Sequence, residues 1–175
     1  MSQLSIPSSV SIIEEYAFSF CSSLSQISIP LSTVLIRKFA FYGCSSLTEI
    51  SIPSSIASIE EGTFKLCSSL MKLKIPSSVA FIGDKAFYGC SSLTEIAIHS
   101  SVISFGNYIF NGIKTLTITG NIPHIPKSLF HECSSFTQII IPSSVTSIED
   151  GAFKRCSSLT QISIPSSVTE IDDCT

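Results

Sequence analysis

Apolar residues recur along this chain with a period of 23 residues, in the pattern L-x-x-I-x-I-P-S-S-V-x-x-I-x-x-x-A-F-x-x-C-S-S. Positions 4 and 6 of each repeat are apolar around one polar residue, an alternation that predicts a half-buried strand. The proline at position 7 ends this strand because it lacks an amide proton, and the Ser-Ser pair after it favours a turn. Positions 10 and 13 predict a second short strand or extended segment, and A-F-x-x-C predicts a 3₁₀ or short helical turn.

The repeats follow one another without a linker, so the pattern predicts a β-rich solenoid that forms a single domain over residues 1–175. Each coil buries its apolar side only against its neighbours, and each repeat position becomes a column, including a phenylalanine spine and one face of a parallel sheet. Coils 1 to 8 cover residues 1–23, 24–46, 47–69, 70–92, 93–112, 113–135, 136–158 and, as a partial coil, 159–175.

Coils 5 and 6 depart from the pattern. Coil 5 lacks its final C-S-S after Gly112, and position 7 holds His99 and Thr119 where other coils have proline. The segment 122–126 brings two prolines into the second extended stretch. We expect a bend or an altered twist near residues 106–126, which is either a shaped binding site or a tolerated defect.

The motif L-x-x-I-x-I-P-x-x-V-x-x-I-x-x-x-A-F-x-x-C resembles the BspA-type leucine-rich repeat over the whole chain. The segment 141–153 is similar to members of that family from parasitic protists such as Entamoeba. The resemblance implies a leucine-rich-repeat solenoid that serves as an adhesion or protein-interaction module. It also implies display at the cell surface or outside the cell, with a host or matrix protein as partner.

The balance of charge excludes some partners. Ten Lys and Arg are scattered among thirteen Asp and Glu, and no basic stripe recurs with the repeat, which disfavours nucleic-acid binding. No apolar run approaches the ~20 residues that a membrane-spanning helix needs. The N-terminus lacks the basic region and apolar core of a signal peptide, so an intracellular scaffold in the cytoplasm is an alternative, which free thiols would also favour.

Catalytic motifs are missing from the sequence. His99, His124 and His131 fall in different columns and therefore on different sides of the coil. No serine lies in a G-x-S-x-G context, and no glycine-rich phosphate loop is present. We therefore expect a non-enzyme that needs no cofactor.

Most cysteines share one column. Stacking brings their Cα atoms ~5 Å apart, as in disulfides, but leaves Cβ atoms near ~5 Å, beyond the usual ~3.5–4.5 Å. We expect small buried thiols, and pairwise disulfides are the alternative; metal binding is weaker because a linear column offers no tetrahedral ligand set. Cys174 stands apart at position 16, where we expect an exposed thiol, either an accident of the terminus or a cross-link between chains. The alternative pairs are Cys21 with Cys44, Cys67 with Cys90 and Cys133 with Cys156.

Acids recur at positions 14 and 15 in several coils, whereas coil 2 has Arg37 and Lys38 there. Stacking predicts two charge ladders, each pair contributing ~0.2–1 kcal/mol because it is exposed. Where no base intervenes, bridging by calcium is an alternative, since carboxylate oxygens suit that ion. The ladders are Glu14–Arg37–Glu60 and Glu15–Lys38–Glu61, and the calcium alternative involves Glu149, Asp150, Asp172 and Asp173.

Recognition of a partner is expected where the coils differ, at the outward strand positions 2, 3 and 5. The middle coils carry a mildly basic and apolar strip there, in which apolar area supplies affinity and charge supplies orientation. Neutral variation of surface positions is the alternative. The candidate partner-binding residues are Met71, Lys72, Lys74, Ala97, His99, Lys114, Thr117 and Ile140.

A structural role is a further possibility. The first and last coils carry no capping sequence, so their apolar residues and strand edges favour end-to-end self-association, or stacking within a longer parent chain.

Overall fold

The structure is a computed structural model that describes residues 3–173 and 175. It is a parallel β-solenoid in which neighbouring coils pair with a spacing of 23 residues, as between Leu4 and Ile27, so the predicted fold class is confirmed. The described residues contain no helix long and apolar enough to cross a membrane. The sixteen strands are β1 Gln3–Ser5, β2 Ile12–Ile13, β3 Gln26–Ser28, β4 Leu35–Ile36, β5 Glu49–Ile50, β6 Ser58–Ile59, β7 Lys72–Lys74, β8 Phe81–Ile82, β9 Glu95–Ile98, β10 Ser104–Phe105, β11 Thr115–Gly120, β12 His124–Ile125, β13 Gln138–Ile140, β14 Ser147–Ile148, β15 Gln161–Ser163 and β16 Glu170–Ile171.

Each coil contributes one strand to each of two faces. The odd-numbered strands form the strand face, in two sheets with the orders β1-β3-β5 and β7-β9-β11-β13-β15. The even-numbered strands form the second face, in three sheets with the orders β2-β4, β6-β8-β10 and β12-β14-β16. Among the described strands, ladder pairing is therefore interrupted between β5 and β7 on one face, and twice on the other.

The A-F-x-x-C segment forms hydrogen-bonded turns rather than a continuous helix. In coil 2, the amides of Phe39, Phe41 and Gly43 donate to carbonyl oxygens of coil 3 at 3.0, 3.0 and 2.8 Å. Only the residues between them bond within the turn, as when the amide of Tyr42 donates to Phe39 at 3.0 Å. Since every second amide is used between coils, no continuous helical ladder forms.

Two residues of each turn adopt left-handed backbone conformations, at positions 16 and 20. In coil 2 they are Phe39, with φ of 57°, and Gly43, with φ of 71°. Large residues occupy the same conformation in other coils, for example Leu66 with φ of 59°. The sequence signal for this left-handed backbone is the glycine at these positions in some coils. The 23-residue period alone does not reveal the conformation.

The predicted aromatic spine is confirmed. Seven phenylalanine rings at position 18 stack in one column, with neighbouring centroids 5.1 to 6.0 Å apart. The column continues across the irregular coils, where Phe110 and Phe130 lie 5.6 Å apart. Leucine, isoleucine and valine columns surround it in one continuous core, and burying each large side chain contributes about 1.5–3 kcal/mol.

The irregularity expected near residues 106–126 takes the form of a register shift. With a 20-residue coil 5, Ile96 should lie beside Leu116; instead it pairs with Ile118, two residues further on. Towards coil 7, Leu116 pairs with Ile139 at the regular spacing. A shift of two residues keeps the same side chains inward, so both Leu116 and Ile118 stay buried. On the second face, β10 and β12 do not pair with each other, although each pairs with the strand on its other side.

Candidate functional site

A shallow groove of about 740 Å³ lies on the strand face where the sheet is interrupted between β5 and β7. Four of the eight candidate partner-binding residues line it: Met71, Lys72, Lys74 and Ala97. Near the start of β7 the amide of Met71 donates to the carbonyl oxygen of Thr48 at 3.4 Å, a long bond between the two coils. The interruption therefore separates two strands that the sequence pattern presents as equivalent.

The floor of this groove is apolar and its rim carries an exposed methionine. Ile50, Ile52 and Leu73 line the groove and are buried in the core. Met71 is 52% exposed. An unbranched thioether side chain adapts to irregular surfaces, which suits contact with a partner.

The charges of the groove are only partly matched. Lys72 Nζ lies 3.1 Å from Glu95 Oε2, and the two residues are ladder partners. Lys74 and Glu49, on opposite sides of the interruption, form no ion pair with any described residue. The groove thus presents one neutralised pair and two charges that are available to a partner.

The remaining candidates lie elsewhere. The register shift places Thr117 between Glu95 and Ile140, so Ala97 and Thr117 do not pair. Ile140 is 41% exposed and lies on β13. Lys114 is exposed just before β11, and its carbonyl oxygen accepts a hydrogen bond from the amide of Thr137 at 2.8 Å.

His99 does not belong to the strand face. It lies in the turn after β9, where its Nδ1 accepts a hydrogen bond from the amide of Ser101 at 3.1 Å. The ring therefore closes the turn that proline starts in other coils. The strip expected from the sequence is divided into the groove, the Thr117–Ile140 contact and two outlying residues.

In each predicted charge ladder, one of the two expected ion pairs forms. Arg37 Nε lies 3.0 Å from Glu14 Oε2, and Lys38 Nζ lies 3.2 Å from Glu61 Oε2. Within the described residues, Glu15 and Glu60 have no ion-pair partner, so each base contacts one neighbouring coil rather than two.

The acids of coil 7 are bound by a lysine of coil 6, which the calcium alternative left out. Lys127 Nζ lies 2.8 Å from Asp150 Oδ2, and its amide donates to Glu149 Oε2 at 2.9 Å. The hydrogen bond from Lys127 lowers the pKa of Asp150. In residues 3–173 and 175, no three metal-ligating side chains converge, so the calcium alternative gains no support from the structure. The sequence signal was available, since Lys127 occupies position 15 directly before Asp150 in its column.

The cysteine column consists of free thiols, as expected, and the alternative disulfide pairs are not formed by the six cysteines that the structure describes. The Cys67 thiol donates to the carbonyl oxygen of Phe41 at 3.1 Å, and Cys44 and Cys90 make the equivalent bond. Burial raises the pKa of Cys44 and of Cys90 to about 12, so these thiols are poor nucleophiles. Cys174 lies outside the described residues.

An aromatic cluster on the turns of coils 1 to 4 was missed from the sequence. Tyr16 stacks on Phe39 with ring centroids 5.2 Å apart, and Tyr42 meets the edge of Phe20 at 4.6 Å. Next along the column, Lys65 Nζ lies 5.3 and 5.5 Å from the rings of Tyr42 and Tyr88. The signal was the recurrence of aromatic residues at positions 16 and 19, together with Phe20 at position 20.

Comparisons with known proteins agree on the architecture. A model of the BspA type leucine rich repeat region matches residues 1–117 and 69–175, in six copies. None of the curated protein sequences matches the chain.

Solved structures of bacterial leucine-rich repeat proteins are similar to this chain. The T. pallidum leucine rich repeat protein has a TM-score of 0.65 and 26% identity, over 97% of this chain and 72% of that one. The pneumococcal vaccine antigen PcpA has a TM-score of 0.59 and 18% identity, over 95% and 61%. A leucine-rich repeat protein from Eubacterium ventriosum has a TM-score of 0.51 and 23% identity, over 95% and 55%. The last two show the fold alone, and this chain spans little more than half of their length.

Solenoids of this kind are commonly protein-interaction or adhesion modules and are typically not enzymes. The matched repeats cover the chain from its first residue to its last, with the spacing that the ladders show. The chain belongs to the BspA-type leucine-rich repeat family.

Proposed function

We propose that this chain is a non-catalytic module that binds a partner protein in the strand-face groove between β5 and β7. The observation that carries the proposal is the combination of an apolar floor, the exposed Met71 and the unpaired Lys74 at one interruption of the sheet. Apolar contact supplies most of the affinity at such a surface, and the charges fix orientation.

The chemistry of the groove indicates the kind of surface that fits it. A partner must bring an apolar side chain to Met71 and a carboxylate to Lys74. The partner should also bring a basic group to Glu49, which lies on the other side of the interruption. Since Lys72 is already neutralised by Glu95, it contributes less to the choice of partner.

Adhesion at the cell surface, with a host or matrix protein as partner, is part of the same proposal. It is supported by membership of a family whose proteins are commonly of that type. The absence of catalysis is proposed as well. His124 and His131 lie in partly exposed pairs at different coil positions, with Nε2 3.8 Å from a carboxylate oxygen of Glu149 and Glu132 respectively. The buried thiols are bonded to carbonyl oxygens.

A second candidate function is end-to-end stacking with a coil of another copy or of a longer parent chain. Coil 1 favours it by presenting an almost wholly apolar hollow of about 320 Å³, lined by Ile6, Val10 and Phe18. The facing acids, Glu14 with Glu15 and Asp172 with Asp173, repel one another and oppose it at neutral pH.

The test of the groove uses the full chain as bait, with bound proteins identified by mass spectrometry and their affinities measured by biolayer interferometry. We expect M71E and K74E each to weaken binding at least about tenfold, or ~1.4 kcal/mol. S163E is the matched control, because Ser163 occupies the same repeat position as Lys74 on the exposed strand β15. If M71E and K74E bind the partner as tightly as S163E does, the groove is not the site.

A further inference from the structure

The outward side of the second face is uncharged in coils 2 to 5. Its residues at positions 11 and 12 include Ile103, 80% exposed, Val34, 57% exposed, and Phe81, 40% exposed. In later coils the same positions turn polar, with His124 on β12 and Glu170 on β16. The change coincides with the interruption between β10 and β12. A parallel sheet is normally covered on both faces, so this surface lacks a cover that its composition calls for.

Large and small side chains alternate along this surface. At position 12 the column reads Leu35, Ser58, Phe81 and Ser104. The ladder of β6, β8 and β10 places Phe81 directly between Ser58 and Ser104. The ring of Phe81 therefore projects between two shallow hollows, and the hollow at Ser58 lies between Phe81 and Leu35.

The neighbouring column at position 11 has the same outline when read in either direction. It consists of Val34, Ala57, Ala80 and Ile103, with branched residues at the ends and alanines in the middle. The amides of Ala80 and Ile103 donate to the preceding residues of the column, Ala57 and Ala80, at 2.9 and 3.0 Å, which keeps these coils in register.

We propose that the second face binds a second copy of this chain, with a two-fold axis parallel to the strands and midway between β6 and β8. That rotation places coil 3 opposite coil 4, and coil 2 opposite coil 5. Phe81 of each copy then faces Ser58 of the other, and Leu35 faces Ser104. A two-fold contact uses the same patch on both subunits, and here each large side chain of the position 12 column meets a small one.

The position 11 column fits the same operation. Val34 faces Ile103, and Ala57 faces Ala80, so apolar groups meet throughout. No charged side chain is buried in the contact, because none occurs at these eight positions. The same lack of charge disfavours an anionic lipid surface or a strongly charged partner, which would need charged groups to bind.

The area of the two-fold contact limits the affinity of the dimer. The paired strands β6, β8 and β10, at ~4.8 Å spacing, and the adjacent β4, which does not pair with β6, have two outward residues each and offer on the order of 300 Å² per copy. A stable interface buries ~800 Å² per partner, so we expect a weak dimer with a dissociation constant in the micromolar range or weaker. The contact is separate from the strand-face groove, and either site is able to act without the other.

The test exchanges the projecting side chain of Phe81 with the small side chain of Ser58. Sedimentation velocity over a range of concentrations is measured for the unaltered chain, F81S, S58F and the double variant S58F/F81S. We expect F81S and S58F each to weaken dimerisation at least about tenfold, the first by removing the ring and the second by opposing two rings. The double variant restores a ring opposite a hollow and should return to within about threefold of the unaltered chain.

Phe81 is exposed and Ser58 is half-buried, so circular dichroism verifies the fold of each variant. I140S, which removes an exposed isoleucine from the strand face, is the matched control and should dimerise like the unaltered chain. The proposal is overturned if the unaltered chain remains monomeric at millimolar concentration. It is also overturned if S58F/F81S is as weak as the single variants, or if F81S abolishes binding to neutral liposomes while the chain stays monomeric.

Discussion

The ring of Phe20 lies over Gly43, the residue at the same position of the next coil. A Cβ atom on Gly43 would lie 2.7 Å from Phe20 Cδ1, closer than side chains pack. Both residues have left-handed backbones, with φ of 55° and 71°. Leu66 covers Gly89 in the same way two coils further on. In coils 1 to 4 this turn column thus alternates between a large side chain and a glycine that makes room for it.

We expect G43A to lower the free energy of unfolding by about 2–4 kcal/mol. About 1–2 kcal/mol comes from the left-handed backbone, and a similar amount from the overlap with Phe20. Urea unfolding followed by circular dichroism measures the loss. G151A is the matched control, since Gly151 is also left-handed, with φ of 65°, but its nearest neighbour would lie 3.5 Å away. Equal losses in the two variants would show that the contact with Phe20 does not restrict the site.

In the aromatic spine, F87A should cost about 3–5 kcal/mol of unfolding free energy, because its fully buried ring has stacked neighbours on both sides and leaves a cavity. F153A should cost less, because Phe153 is only partly buried. Denaturant unfolding of the two variants under the same conditions checks the order. A larger loss for F153A would contradict the central place of the spine.

The buried thiols predict a pH dependence in the alkaline range. The pKa of Cys90 is about 12 in the folded chain against 9.0 for a free thiol, so its proton is held more tightly when the chain is folded. The free energy of unfolding is therefore undiminished below pH ~9 and falls as the pH rises from there towards 12. Thermal unfolding between pH 7 and 11 measures this slope. C90A should flatten it, and an unchanged slope would assign the effect to other groups.

Thiol accessibility provides a second measurement on the same column. In the native chain at neutral pH, we expect Cys21, which is exposed, to react with a maleimide quickly. Cys67 and Cys90 are buried and should react only after unfolding. Peptide mapping by mass spectrometry distinguishes the sites. Rapid labelling of Cys67 under native conditions would contradict the packed column.

The contact between Lys127 and Asp150 predicts a change in an acid titration. The Lys127 ammonium holds the pKa of Asp150 below its usual value. The contribution of this ion pair to the stability of the folded chain is therefore present at neutral pH and lost as the pH falls through the lowered pKa. K127Q should raise the pKa of Asp150, as followed by the chemical shift of its carboxyl carbon in NMR spectra. K154Q removes a weaker influence and should shift it less. The reverse order would contradict the assignment of the main partner.

The sequence predicted what repeats and missed what depends on neighbouring coils. Alternation at positions 4 and 6 was enough for the strands, and the phenylalanine period was enough for the spine. The register of β11 was not predictable, because its T-L-T-I-T sequence presents the same inward face after a shift of two residues. The groove escaped prediction for a related reason, since E-I-S-I and K-L-K-I follow one pattern although their strands are not paired.

The candidate residues show the same limit. Met71, Lys72, Lys74 and Ala97 line one groove, because they lie on neighbouring coils with regular spacing. His99 was included as a candidate although it lies at position 7, outside the strand positions, and its ring accepts a hydrogen bond from the amide of Ser101. The left-handed backbone at positions 16 and 20 was also not predicted. Bulky residues adopt it in some coils, where only glycine would have been a sequence signal.

Strand β11 pairs in one register with the coil before it and in another with the coil after it. It therefore works as a splice between repeats of unequal length. A solenoid with this device tolerates the loss of residues from a coil whenever one strand slips by an even number of steps. The buried columns on either side of this join still line up, although one coil is shorter than its neighbours.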